Sequence, residues 1–191
     1  MSTHKKTTSG DKSQVSGSRN VADVKIVRRQ QIERIAEGYL ELGMPEQALD
    51  NLERLGGIEN HSPVGVYYHG EALRQLNRYE EALDYLKKAA QVLPQKVDPL
   101  VSLGWCYKRT SRIELAIDSM VRALEIKPEV AVLHYNLACY LSLAGRKSQA
   151  LVHLSRSFEL DEQFRALAET ESDFDPIRSD PDFQALLGSR V

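Results

Sequence analysis

Apolar residues along this chain recur every three or four positions, and the whole pattern then recurs at a longer interval. In YEEALDYLKKAAQVLP (79–94), Tyr79, Ala82, Leu83, Leu86 and Ala89 fall on one face of a 3.6-residue helix. Glu80, Glu81, Asp84, Lys87 and Lys88 lie elsewhere around it, and Pro94 stops it because proline cannot continue the ladder. Upstream, VGVYYHGEALRQL (64–76) has the same helical spacing. Asn77 between the two stretches suits a tight turn, so the pair is predicted to form a helical hairpin.

A shift of 34 residues brings the same chemistry into register. Ala48, Ala82, Ala116 and Ala150 align, followed by Leu49, Leu83, Ile117 and Leu151, and then by Leu52, Leu86, Met120 and Leu154. Twelve residues before the alanines stand Ala36, Gly70, Gly104 and Ala138. The turn positions hold Gly43, Asn77, Ser111 and Gly145. Four unbroken periods of this length are the mark of a stacked repeat, and the small residues are needed where helix backbones cross closely.

The arrangement resembles the tetratricopeptide repeat, over roughly residues 29–162. The matching residues are the small pairs (Gly70 with Ala82, Gly104 with Ala116), together with Tyr79, Tyr107, Ala89, Ala123, Pro94 and Pro128. The first copy departs at Gly56-Gly57, and the fourth has Lys147 and Asp161-Glu162 where an apolar residue and proline are usual. The fold class expected from the resemblance is all-α: an α-solenoid, a right-handed superhelix of four hairpins with C-terminal capping helices. The domains are then a basic Ser/Thr-rich disordered tail (1–20), four repeats within 21–162 (about 29–62, 63–96, 97–130 and 131–164), and a cap (163–191). Within the cap, SDPDFQALLG reads as a helix with Asp180 at its N-cap and Pro181 in its first turn; the segment also resembles the "end-of-group" module that closes many such arrays.

In this family the first helices line a concave groove. Transferred copy by copy, the lining is Glu33, Glu37 and Glu41; then Tyr67, Glu71, Arg74 and Gln75; then Val101, Trp105, Lys108 and Arg109; then Tyr135, Cys139 and Ser142. Trp105, the only tryptophan, is the expected anchor, because exposed Trp and Arg commonly dominate partner binding. A ligand with an apolar side chain at Trp105 and a carboxylate at Lys108 or Arg109 would suit this lining. Helical aromatics also pack sideways into the preceding repeat, and the sequence leaves both placements of Trp105 open. The clamp that reads a heat-shock chaperone's acidic C-terminus has no counterpart, since Glu33, Glu37, Asp98 and Ser102 occupy its positions.

Composition narrows the function further. The net charge is −2 although residues 1–20 are basic (Lys5, Lys6, Lys12 and Arg19 against Asp11), so the repeats are acidic and nucleic acid is not an expected partner. There is neither a membrane-length apolar run nor a secretory signal, and Cys106 and Cys139 are too few for a disulfide framework; a cytoplasmic location is expected. No phosphate loop, nucleophile–base pair or metal-ligand spacing stands out, so no enzyme activity, cofactor or metal is expected. The leading function is an adaptor that holds a peptide or partner helix in the groove; a self-assembling module and a dedicated chaperone of a client protein are the alternatives, and the oligomeric state is left open.

Overall fold

The computed structural model describes residues 13–188, with side chains from residue 21 onward. Four antiparallel hairpins follow one another: α1 (Ser13–Glu41) with α2 (Pro45–Glu53), α3 (Pro63–Gln75) with α4 (Tyr79–Val92), α5 (Asp98–Arg109) with α6 (Ile113–Ile126), and α7 (Ala131–Leu143) with α8 (Lys147–Leu160). Each second helix also packs on the first helix of the next hairpin, so the array is an α-solenoid. No strand occurs among the described residues.

The 34-residue period appears in the backbone itself. Gly43, Asn77, Ser111 and Gly145 all adopt left-handed φ values, +67°, +60°, +59° and +72°. After each, an amide reaches back to close the preceding helix: Met44 to Tyr39, Arg78 to Leu73, Arg112 to Tyr107 and Arg146 to Leu141, at 2.8–2.9 Å. A left-handed serine is strained by its Cβ, so Ser111→Gly is expected to stabilise the fold by about 0.5–1 kcal/mol, read from the denaturant midpoint.

The small residues perform the predicted packing. Ala48, Ala82, Ala116 and Ala150 are fully buried, and so are Leu52, Leu86, Met120 and Leu154. A Cβ added at Gly70 would stand 2.8 Å from Leu86 Cγ, and one at Gly104 would stand 2.9 Å from Met120 Cε. Helix–helix approach within the second and third hairpins therefore depends on these glycines. The first hairpin is the irregular one: α2 stops at Glu53, ahead of Gly56 at φ +82° and a single 3-10 turn, Ile58–Asn60.

At the N-terminus, α1 starts at Ser13, inside the stretch assigned to the tail, while residues 1–12 lie outside the described residues. At the other end come α9 (Gln163–Thr170), a 3-10 turn (Ser172–Ile177) and α10 (Pro181–Gly188). Phe174 and Phe183 are fully buried here and belong to the same core as the repeats. Lys147 holds the start of α10 through Asp180 at 2.8 Å and Asp182 at 3.2 Å.

Candidate functional site

The residues expected to line a groove stand on α1, α3, α5 and α7, and they are unequally exposed. Trp105 projects from α5 with 43% of its surface exposed. The Arg74 guanidinium lies 5.8 Å from the centre of the indole and the Lys108 ammonium 5.5 Å. Trp105 is therefore exposed and flanked by cations.

Both cations already have carboxylate partners. Glu71 grips Arg74 bidentately (2.8 and 2.5 Å) and also accepts from Gln75 at 3.1 Å and from Ser102 Oγ at 2.8 Å. Burial alone would raise the Glu71 carboxyl, but the bonds from Arg74, Gln75 and Ser102 outweigh it and hold the group below its ordinary value. Tyr67 beside it is raised to about 12, by burial first and then by the Glu71 charge. Glu37 accepts the Tyr68 hydroxyl, and Val101 is half-buried at the edge of the core. Arg109 stands apart from this cluster, with its guanidinium 5.5 Å over the Tyr79 ring at the rim.

The α7 half departs from the sequence reading. Tyr135 and Cys139 are not open groove residues; they are 7% and 3% exposed, and Ser142 is fully buried. The cause is the C-terminal segment, which doubles back across α7. Phe164 and Phe174 pack on the Tyr135 ring at centroid distances of 4.9 and 5.7 Å. Asp173 pairs with Lys108, so the carboxylate sought for that lysine is supplied by the chain itself. Glu33 is a further correction. It is buried and caps the next hairpin, accepting from the Ser62 amide at 2.7 Å and its hydroxyl at 2.8 Å, and a Cβ at Gly65 would collide with it.

With this geometry in place, comparison with known proteins is direct. The profile of the tetratricopeptide repeat family matches residues 67–95 and 97–130, the second and third hairpins. The second and third hairpins are tetratricopeptide repeats. A crystal structure of MamA aligns over 85% of this chain and 99% of its own, with a TM-score of 0.66 and 18% identity. A second MamA structure aligns over 78% and 80%, at TM-score 0.65 and 21% identity. TTC0263, a thermophilic tetratricopeptide protein of Thermus thermophilus, aligns over 72% and 76%, at TM-score 0.59 and 24% identity. These likenesses establish a shared right-handed solenoid fold. No curated protein sequence matches the chain significantly. Tetratricopeptide proteins are in general protein-interaction scaffolds and typically not enzymes. No helix among the described residues is long and apolar enough to cross a membrane.

Proposed function

We propose that this protein is an adaptor whose ligand, an extended peptide or a partner helix, lies on the inner face of α1, α3 and α5 and is anchored by an apolar side chain on Trp105. The observation that carries this reading is the exposed indole between Arg74 and Lys108, both of which are already neutralised by Glu71 and Asp173. A large apolar surface with its neighbouring charges satisfied favours an apolar contact over recognition of charge. A carboxylate on the ligand would meet Arg109, which has no ion-pair partner among the described residues. Glu37 and Glu41 make the α1 end acidic, so nucleic acid is a poor fit.

The test is affinity capture with wild type, Trp105→Ala/Arg109→Glu and Val152→Asp, the last on the exposed outer face of α8. Partners held by wild type and by Val152→Asp are expected to be lost from the double variant. The same partners on all three would overturn the assignment.

Self-assembly is a second reading, favoured by Val21, Val24 and Val27, which stand three residues apart along α1 and are 59%, 59% and 62% exposed. Sedimentation of the full chain over a concentration series separates the two, because only assembly makes the mass grow with concentration.

A further inference from the structure

The first hairpin gathers cations that no carboxylate answers. Its helices are unequal: α1 has 29 residues and α2 only 9, against 14 in each of α4, α6 and α8. The N-terminal half of α1 therefore runs past the end of α2 and meets the loop that follows it. Lys25, Arg28 and Arg29 come together there with Arg54, Glu59 and Asn60 around a cleft of about 350 Å³, which Ile26 and Leu55 also line. Four cations face one carboxylate.

Elsewhere the chain neutralises its arginines. Among the described residues from α3 onward, every arginine except Arg109 has a carboxylate partner, whereas Arg28, Arg29 and Arg54 have none. Arg54 shows the contrast within one register. Arg122 and Arg156, two and three periods on, pair with Asp118 and with Glu129 and Glu159, but Arg54 reaches only the neutral Asn51 side chain, at 3.3 Å. Nor are these cations needed to close α2. The Asn51, Leu52 and Glu53 carbonyls already accept from the Arg54, Leu55 and Gly56 amides at 3.0–3.3 Å. Arg29 Nε is shielded from solvent and has no acceptor among the described residues, and such a donor asks for a partner from outside the chain.

From this cleft we infer a binding site for a phosphomonoester, its phosphoryl group held by Arg28, Arg29 and Arg54 with Lys25 adding charge. Guanidinium groups bind phosphate oxygens through paired, parallel N–H···O bonds, and three of them together favour a dianion over the single charge of a carboxylate. The cleft has room for a small organic body beside the phosphate. Glu59 and Asn60 can bond its hydroxyls, and Ile26 and Leu55 give it apolar contact. A free small molecule and a phosphorylated serine side chain carry the same group, and the test separates them.

The test is an NMR titration of the full chain with inorganic phosphate in about 0.15 M NaCl, followed at the arginine Nε–H signals. Beside wild type stand Arg29→Gln, Arg54→Gln, Lys127→Gln and Lys5→Gln/Lys6→Gln. Arg54 is exposed, so its replacement leaves the hairpin's packing intact, and Lys127 is an exposed cation outside the cleft. A saturable one-site shift is expected in wild type, Lys127→Gln and the tail variant alike, with affinity at least about fivefold weaker in Arg29→Gln and in Arg54→Gln. Glycerol 3-phosphate and a short phosphoserine peptide are then titrated, and the one that binds tighter than inorganic phosphate identifies the source of the group. The site is overturned by the lack of a saturable shift, by undiminished affinity in Arg54→Gln, by binding that vanishes in the tail variant, or by neither ester exceeding inorganic phosphate.

Discussion

Phe174→Ala is expected to destabilise the protein by about 3–5 kcal/mol, the cost of emptying a buried phenylalanine site. Phe174 is fully buried. Its ring stands edge-on to Tyr135 at 5.7 Å and lies 5.5 Å from Phe183, so it ties the C-terminal segment to α7 and α10 at once. For a domain of this size the loss corresponds to roughly 6–20 °C in Tm. A second effect concerns Cys139, which lies near charges of the same segment. Burial pushes the Cys139 thiol well above its ordinary value, and the Asp173 and Glu171 carboxylates push it further. Loosening the segment should therefore raise the rate at which Cys139 reacts with a maleimide. A Tm within a degree of wild type would mean that the segment does not hold the fourth hairpin.

Arg74→Ala is expected to cost about 2–3 kcal/mol at neutral pH, because it strands a carboxylate that is largely out of water. Glu71 is 9% exposed, and Ser102 and Gln75 cannot replace the lost cation. The sign of the pH dependence follows from the direction of the shift. The Glu71 pKa is lowered by folding, so the stability it contributes is complete above the ordinary carboxylate pKa of about 4.3 and is lost as pH falls through the lowered value. The gap in denaturant midpoint between wild type and Arg74→Ala should therefore be widest near neutrality and narrow steadily in acid. A gap that stays constant down to pH 3 would contradict the role given to the pair.

The repeat itself was legible because it is periodic. The four turn residues and the small residues at the helix crossings all follow from one register, and each is found where that register puts it. The departures come from contacts that have no period. Asp173 reaches Lys108 across 65 positions of sequence, and Phe164 and Phe174 reach Tyr135; nothing local to Tyr135 or Cys139 announces that they are covered. Glu33 has the spacing of a groove residue, but Ser62, 29 positions on, draws its carboxylate to a helix N-terminus.

The contrast between an exposed Trp105 and a covered Tyr135 can be measured without knowing any partner. Hydroxyl-radical footprinting of the full chain should modify Trp105 heavily and leave Tyr135, Tyr140 and Phe174 almost untouched, as their burial requires. Protection of Trp105, or modification of Tyr135 at a comparable rate, would contradict the account.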